Sequence, residues 1–351
     1  MGKRVTIQDI ADELGLSRNT VSKALNNSEG LADATRTRIL QKAMEMGYKQ
    51  FAYAQSILNR AEVISSDPLI DSSDSKREFA LFSTLFLQGP HFASLMLDFL
   101  QNELSQLGYT LNTHRVTEQN LADHTLPITF VPEHVAAIIC IEVFDQSYAE
   151  MVCNLGIPVL FVDGPARIHG EDLPCDQLYM DNTTMVTRVV NDMLAGGRRR
   201  IGFIGDWEHC RSFHERYTAF RLAMLLGDAP VKEEHCIKEN HLVEIVDHLE
   251  ALDELPDLFI CANDFVAFDV MQALRSLGKT IPDDVGLVGF DDSAESRRCI
   301  PPLTTIHIHT QVMAYTAMQL LRTRIKEPSL DYRKVYTQTD LIYRESAENP
   351  A

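Results

Sequence analysis

Apolar residues recur at helical spacing in three short stretches at the start of the chain. The first stretch predicts an amphipathic helix over residues 6–14, with Thr6 placed to cap its N-terminus. Gly15 permits the left-handed backbone that ends a helix, and Ser17 is placed to cap a second one. A third periodic stretch, ADATRTRILQKAMEMG, predicts a further helix. The pattern therefore predicts a small all-α headpiece.

The second predicted helix has an apolar face and a polar face. Its inward positions are Val21, Ala24 and Leu25. Its polar face carries Arg18, Asn19, Ser22 and Lys23. Two helices joined by a tight turn form a helix-turn-helix, whose second helix fits the major groove. Arg and Lys suit guanine edges, and Asn suits adenine. Phosphate contacts are expected from Thr6, Ser17, Thr20, Ser22 and Asn26. A three-helix bundle with a solvated polar face is the alternative.

From residue 79 onward, apolar runs of strand length alternate with helical patterns. Runs such as AAIICI, PVLFVD, LFICAND and VGLVGFDD are typical of parallel strands buried on both faces. Two series of such runs predict two α/β lobes, the second beginning at QLYMD. Ligands bind outside the carboxyl ends of such strands, so a cleft between the lobes is the predicted pocket. Polar side chains follow these strands at Asp163, Asn263, Asp264, Asp291 and Asp292.

Charge is distributed unevenly along the 351 residues. The first 60 residues carry a net charge of +3 and the rest −21, which together make the −18 of the whole chain. A basic head on an acidic body is compatible with DNA binding, because the body discourages non-specific association with nucleic acid. Seven scattered cysteines, no apolar run long enough for a membrane span and no apolar leader at the N-terminus predict a cytoplasmic protein with reduced thiols and no membrane partner.

Common catalytic and cofactor signatures are missing from the sequence. The chain contains no G-x-S-x-G, G-x-x-x-x-G-K-[ST], G-x-G-x-x-G or H-E-x-x-H motif. His307 and His309 share one face of a predicted strand, but no second matched pair of metal ligands accompanies them. We therefore expect no cofactor, no metal site and no enzymatic activity.

The segment VTIQDIADELGLSRNTVSKALNNSEGLADATRTRILQKAMEMGY resembles the headpiece of the LacI/GalR family of bacterial transcription regulators. It has the V-T-x-x-D-[IV]-A start, the S-x-x-T-V-S helix, the T-R-x-x-[IV] helix and the G-Y ending, in order. The resemblance implies that Arg18, Asn19 and Lys23 read bases and that Tyr48 also contacts DNA. It further implies a homodimer on a pseudo-palindromic operator, with one headpiece in each half-site.

The stretch KQFAYAQSILNR occupies the place of the family's hinge helix. Ala54 stands at the characteristic alanine, and Ile57 stands at the position that wedges a minor-groove base step apart. Packing of one hinge against the other is the alternative role of Ile57. Gln50 replaces the family's proline, and the following AEVISSDPLIDSSDSKRE predicts an unusually long flexible linker.

The rest of the chain resembles the type I periplasmic-binding-protein fold of the family's effector domain, through segments such as GRRRIGFIGD, IPDDVGLVGFDD and PPLTTI. The resemblance implies that Arg216 clamps effector oxygens. It places the other ligand contacts at His91, Phe92, Asp163, Asn263 and Asp291. These residue types suit a sugar, although Ala219 in place of a glycine and the atypical loop LFLQGPHF point away from a common hexose.

Several of these positions have structural alternatives. A strand-end Asp or Asn, such as Asp163, Asn263 or Asp291, can simply cap a helix. Arg216 can pair with an acid, and Phe92 can belong to the core.

The predicted layout has four segments: a headpiece at 1–50, a hinge helix at 51–60, a linker at 61–78 and an effector-binding and dimerisation domain at 79–346. Within the last segment, the first lobe is expected at about 79–162 and 292–324, and the second at about 163–291 and 325–346. The predicted function is transcriptional repression of a target operator under the control of a sugar-like effector. A cleft-acting carbohydrate enzyme or a sugar-binding protein with a vestigial head is the alternative.

Overall fold

The computed structural model describes residues 5–25, 31–46, 48, 76–85, 92–166 and 172–348. The chain divides into two compact units, Met1–Ser72 and Ser73–Ala351. Asn26, the predicted hinge at 51–60 and nearly all of the predicted linker lie outside the described residues. Each unit is described in turn.

The first unit contains three helices in the described residues: α1 (Ile7–Leu14), α2 (Arg18–Leu25) and α3 (Asp33–Glu45). Thr6 and Asp9 form a capping box at the start of α1, in which the Thr6 side chain accepts from the Asp9 N–H and the Asp9 carboxylate accepts from the Thr6 N–H. Gly15 ends α1 with φ of 65°, a conformation that costs glycine little. The predicted headpiece helices are thus present where the apolar spacing indicated.

The three helices enclose one small apolar core. Its fully buried members include Ile10, Ala11, Val21, Ala24, Ile39, Leu40 and Ala43. Polar contacts between α3 and α1 reinforce the packing, because Arg38 donates to the Leu14 carbonyl at 3.1 Å and Lys42 pairs with Glu13 at 3.5 Å. Burial of each large aliphatic side chain contributes about 1.5–3 kcal/mol, so the core holds the polar face of α2 outward.

The second unit alternates strands and helices. Its elements are β1 (Glu78–Ser83), α4 (Phe92–Gln106), β2 (Thr110–Arg115), α5 (Glu118–Asp123), β3 (Val135–Ile141), α6 (Gln146–Cys153), β4 (Val159–Val162), β5 (Asp176–Met180), α7 (Thr184–Ala195), β6 (Ile201–Ile204), α8 (Arg211–Leu226), β7 (Cys236–Ile237), α9 (Leu242–Glu250), β8 (Leu258–Cys261), α10 (Asp264–Ser276), β9 (Gly286–Val288), β10 (Thr305–Ile308), α11 (Thr310–Lys326), β11 (Lys334–Thr337) and β12 (Thr339–Ile342).

The first lobe is built on a six-stranded parallel sheet with the order β11-β5-β4-β3-β1-β2. Helix α11 packs against α4 and against β3, β4 and β5. The apolar strand residues are buried, and Phe82, Ile138 and Phe161 form a core with Tyr148 and Val152 of α6. Helices cover both faces of this parallel sheet, as the near-continuous apolar runs of the sequence predicted.

The second lobe is built on a four-stranded parallel sheet with the order β7-β6-β8-β9. β10 extends this sheet through a bridge between Val288 and Thr304, and β12 pairs antiparallel with β10. Phe203 of β6 stacks on Phe220 of α8 with ring centroids 5.9 Å apart, so α8 belongs to this lobe.

The structure differs from the predicted lobe boundaries at three strands. β5 and β11 join the first sheet, whereas the expected bounds assign both to the second lobe; β10 extends the second sheet, whereas they assign it to the first. The final apolar stretch splits at Gln338 into two strands that belong to different sheets. An apolar run identifies a buried strand but carries no information on which sheet the strand joins.

The chain crosses between the lobes at three places. The crossings follow β5 at residues 181–183, join β10 to α11 at His309, and separate β11 from β12 at Gln338. Three short connections allow the lobes to rotate against each other while keeping them together. Among the described ranges, no helix is long and apolar enough to cross a membrane.

Candidate functional sites

The polar face of α2 is the candidate nucleic-acid surface of the first unit. Arg18, Asn19 and Lys23 are exposed, and Thr20 and Ser22 are partly exposed. The opposite face is buried against α1 and α3. The structure therefore brings the predicted base-reading side chains onto one accessible helix face.

Several of the predicted phosphate-contacting residues also have local structural roles. The Ser17 hydroxyl accepts from the Thr20 N–H at 3.1 Å at the start of α2, and the Thr6 hydroxyl takes part in the capping box of α1. Tyr48 is only 8% exposed and packs in the headpiece core, so any contact it makes with DNA is confined to the edge of its side chain. Asn26 and Ile57 lie outside the described residues.

The carboxyl ends of the two parallel sheets face each other in the second unit. The Arg211 N–H at the start of α8 donates to the carbonyl of Gly164, which follows β4, at 2.9 Å. The Phe144 ring, which follows β3, contacts the His209 ring in the loop before α8 with centroids 4.9 Å apart. The side chains that follow the strands of both lobes therefore converge in the predicted cleft.

Arg216 of α8 is the most constrained side chain of this cleft. It is 3% exposed, its Nε donates to Asn182 Oδ1 at 2.9 Å, and its Nη1 donates to the Ala262 carbonyl at 2.6 Å. Its guanidinium lies over the Phe290 ring, 3.4 Å from the centroid. Burial lowers the pKa of Arg216, although the nearby Asp291 carboxylate opposes the shift. Among the described residues its Nη2 has no hydrogen-bond partner, which leaves a fixed donor for a ligand.

The Ala262 carbonyl is held in place by a close approach of the ends of β6 and β8. Gly205 follows β6 with φ of 145°, and a Cβ at this position would lie 2.2 Å from the Ala262 Cβ. Only glycine allows the two strand ends to come this close, which keeps the Ala262 carbonyl within reach of Arg216.

Asp163 supports the N-terminus of α8 from the first lobe. It follows β4 with φ of 59° and is 7% exposed, and its Oδ1 accepts from the N–H groups of Gly164 at 2.8 Å and Ser212 at 3.2 Å. Burial raises the pKa of Asp163, and the two hydrogen bonds oppose that shift. The capping role anticipated as an alternative is present, but the capped helix begins 48 residues farther along the chain, at Arg211.

Asn263 and Asp291 differ in whether their side chains already bond to other groups of the protein. Asn263 caps α10, because its Oδ1 accepts from the Val266 N–H at 3.0 Å. Asp291 has φ of 121°, and within the described part of the chain its carboxylate has no hydrogen-bond partner. Burial raises the pKa of Asp291 well above its ordinary value, and Arg216 opposes the rise. Of the predicted acidic contacts, Asp291 is the one most open to a ligand.

Glu142 belongs to the same group of strand-end residues and was missed by the sequence reasoning. It follows β3 with φ of 59°, and its charge contributes to the raised pKa values of Asp163 and Asp291. The signal was available, because an acid directly after the apolar run AAIICI matches the pattern of the other strand ends. Glu142 therefore belongs with Asp163 and Asp291 at the strand ends, and the last two also interact with the charge of Arg216.

Phe92 and His91 belong to the loop and helix that follow β1. Phe92 is the first residue of α4 and is partly buried, while His91 lies outside the described residues. Their ligand contacts stay predictions.

The histidines that share a strand face each have a carboxylate partner. His307 Nδ1 lies 3.0 Å from Asp292, and His309 Nε2 lies 3.0 Å from Asp340. In the part of the chain that the structure describes, no group of three or more His, Cys, Asp or Glu side chains is arranged to hold a metal ion.

Two family models match the chain. Residues 6–50 match bacterial regulatory proteins of the lacI family, and residues 190–347 match a periplasmic binding protein-like domain. A curated relative, the HTH-type transcriptional regulator GalR of Lacticaseibacillus casei, is 27% identical over 358 residues and covers 97% of this chain and 99% of its own length.

Solved structures share the fold over nearly the whole chain. A complex of the transcriptional regulator CelR with cellobiose matches with a TM-score of 0.65 and 21% identity, covering 98% of this chain and 100% of its own. A lac repressor dimer bound to operator and the anti-inducer ONPF matches with a TM-score of 0.66 and 19% identity, covering 99% of this chain and 100% of its own. The helix-turn-helix headpiece and the two-lobed α/β domain agree with these matches: the chain joins a DNA-binding headpiece of the lacI family of bacterial regulatory proteins to a periplasmic binding protein-like domain.

Proposed function

We propose that this regulator represses transcription by binding a pseudo-palindromic operator as a homodimer, and that a neutral, hydroxyl-rich small molecule in the cleft controls its affinity for DNA. The observation that carries the DNA-binding part is the exposed set of Arg18, Asn19 and Lys23 on one face of α2. Arg and Lys pair with guanine and Asn with adenine in the major groove. The operator-bound lac repressor dimer of similar fold supports the dimeric arrangement. Because its target is chromosomal DNA, we place the protein in the bacterial cytoplasm.

The charge of the cleft supports a neutral effector over an anionic one. Burial and the neighbouring acids raise the pKa values of Asp163 and Asp291, so negative charge is already unfavourable in the cleft. A phosphate or carboxylate would add to that negative charge, whereas sugar hydroxyls can bond to the strand-end carboxyl groups and accept from Arg216. The cellobiose complex of the similar CelR fold is in line with this ligand class.

Control of DNA binding would follow from a change in the angle between the lobes. An effector that contacts Asp291 and Arg216 binds one lobe arrangement better than another, and only this difference can shift the equilibrium. By linkage, operator DNA must change the affinity for the effector by the same factor. The predicted hinge at 51–60, with Ile57 as the candidate wedge, is the proposed connection to the operator.

The DNA-binding part is tested by titrating labelled palindromic duplexes at several salt concentrations. A regulator with two phosphate-contacting headpieces gives a steep negative slope of log affinity against log salt, with several counterions released for each dimer. Absence of binding to any duplex from a randomised palindromic pool at low ionic strength would contradict the proposal.

The effector part is tested with the single tryptophan of the chain. Trp207 lies in the loop between β6 and α8 and stacks on Tyr217 with centroids 4.1 Å apart, so its emission reports on the cleft edge. We expect neutral sugars such as cellobiose, galactose or ribose to perturb it, and glucuronate or glucose 6-phosphate to do so only at much higher concentration. Asp291→Asn should weaken the response, and the exposed Asp253→Asn serves as the matched control. Preferential binding of the anionic sugars would refute the assignment of ligand class.

A further inference from the structure

Asn182 is a buried amide that lies on a lobe crossing and bonds to three side chains of α8. It follows β5 at a crossing segment and is 0% exposed. Its Oδ1 accepts from Arg216 Nε at 2.9 Å, and its Nδ2 donates to Glu215 Oε2 at 3.0 Å and to the Ser212 hydroxyl at 3.3 Å. A guanidinium only donates and a carboxylate only accepts, so these partners fix the orientation of the amide.

Glu215 continues the chain of hydrogen bonds toward the first lobe. Its Oε1 accepts from Arg211 Nε at 2.7 Å, one turn earlier on α8, and from the Tyr336 hydroxyl at 2.9 Å. Tyr336 lies on β11, the edge strand of the first sheet, and its ring stacks on Tyr179 of β5 with centroids 5.2 Å apart. The bond between Tyr336 and Glu215 therefore joins the first lobe to the helix that carries Arg216.

The tyrosine is well suited to hold this bond permanently. Burial and the Glu215 carboxylate raise the pKa of Tyr336 to about 12, so the phenol remains a donor at any physiological pH. Hydrogen bonds to charged partners are the stronger ones in proteins. The α8 N-terminus is also bound to the first lobe through Gly164 and Asp163, which places three lobe-to-lobe contacts within two helical turns.

We propose that Tyr336 and Glu215 form a latch between the lobes and that Asn182 is a positioning residue that ties this latch to Arg216. A displacement of the Arg216 guanidinium pulls on Asn182, which shares its amide with Glu215, and Glu215 in turn holds Tyr336. The position of the arginine and the angle between the lobes are thereby set together. The link to effector control rests on the proposed function, whereas the latch itself is a property of the ligand-free protein.

Amide hydrogen exchange of the ligand-free full chain tests the latch directly. The N–H groups of Arg211 and Ser212 bond across the lobes, so their exchange reports how often the lobes separate. Tyr336→Phe removes only the hydroxyl and keeps the stack on Tyr179. We expect exchange of the peptide covering the first turn of α8 to accelerate about 10-fold, in line with the loss of one hydrogen bond to a charged group.

Tyr343→Phe is the matched control. The Tyr343 hydroxyl donates to Asp192 Oδ2 at 2.8 Å, and Asp192 is shared with Arg188 one turn earlier, as Glu215 is shared with Arg211. This pair lies within the second lobe. Both variants lose the same kind of bond and should lose similar global stability, but only Tyr336→Phe should accelerate exchange in α8. Equal exchange in the two variants would overturn the latch.

Asn182→Asp is a second variant, which keeps the bond from Arg216 to residue 182 and removes the bond from residue 182 to Glu215. The new carboxylate still accepts from Arg216 and can accept from the Ser212 hydroxyl, but it can no longer donate to Glu215, and the two carboxylates repel each other. We expect the same acceleration in the first turn of α8 as with Tyr336→Phe, and unchanged exchange there would overturn the role of Asn182. The exchange experiments use the ligand-free protein, so their outcome does not depend on the sugar screen. A failed sugar screen would reject the proposed ligand class and leave the latch to be decided by exchange alone.

Discussion

Replacement of Arg216 by lysine keeps the positive charge and removes the planar guanidinium. Lysine can still reach the Ala262 carbonyl, but it cannot also donate to Asn182 or stack on Phe290. Asn182 is 0% exposed, so its Oδ1 would be left without a donor at a cost of about 1–3 kcal/mol. Loss of the stack on Phe290, now 3.4 Å from the guanidinium, costs roughly 0.5–2 kcal/mol more.

These contributions predict two separate losses in Arg216→Lys. At about 2–4 °C for each kcal/mol, the melting temperature of the Ser73–Ala351 unit should fall by roughly 3–20 °C. Loss of the fixed fork toward the ligand removes about 1.5–3 kcal/mol of binding, which corresponds to roughly 10- to 150-fold in effector affinity.

Differential scanning calorimetry and the Trp207 titration measure these two effects independently. Arg188→Lys is the control, because it makes the same exchange on another helix of the second lobe, α7, where the Arg188 Nε pairs with Asp192 at 3.5 Å. This ion pair is partly exposed and contributes under about 1 kcal/mol. Wild-type effector affinity in a folded Arg216→Lys protein would refute the assignment of the guanidinium to the ligand.

Two further predictions concern DNA recognition and acid stability. Arg18→Ala should relax base preference at one position of each half-site by about 1–3 kcal/mol, measured by competition among operator variants, and unchanged discrimination would argue against a base-reading role. Burial alone would raise the pKa of Asp176, but hydrogen bonds from Arg324 and Arg333 hold it below its ordinary value. A carboxyl group with a lowered folded-state pKa stabilises the protein above its unfolded-state pKa, and this contribution is lost as the pH falls below about 4. Asp176→Asn should therefore cost about 3–5 kcal/mol at pH 7, in denaturant titrations, and progressively less in acid; a constant difference down to pH 2 would contradict this account.

The headpiece was the most predictable part of the chain because its signals are local. The helical spacing of Ile10, Ala11 and Leu14 and the cap residues Thr6 and Gly15 lie within a few positions of the elements they define. Local propensity, capping and burial agree there, and such agreement makes sequence reasoning reliable.

The assignment of strands to lobes was less predictable because sheet partners are distant in sequence. β11 pairs with β5, and Tyr336 lies directly opposite Tyr179 in that pairing. Nothing in the run VYTQTDLIY marks the change of sheet at Gln338. Periodicity reports burial and not the identity of the neighbouring strand.

The residues of the candidate site also divide into those that the sequence predicted and those that it did not. The strand-end acids were predictable because the carboxyl ends of parallel strands meet at one edge. The roles of Asn182 and Glu215 were not, because a single polar residue after a strand or on a helix does not reveal a partner from another lobe. For Asp163, the sequence predicted the position at a strand end. It did not predict the hydrogen bond from the Ser212 N–H at the start of α8.

The pairing of β11 with β5 also determines the order in which the nascent chain can mature. When β5 leaves the ribosome it can pair with β4, but its other edge has no partner until Lys334–Thr337 has been translated. At about 5–20 residues per second, that interval lasts roughly 10–30 s. During this time a strand with buried side chains presents an open row of backbone N–H and C=O groups, the kind of edge that recruits other chains. A transcript truncated before codon 334 would therefore yield a polypeptide that self-associates through β5, even though most of both lobes has already been made.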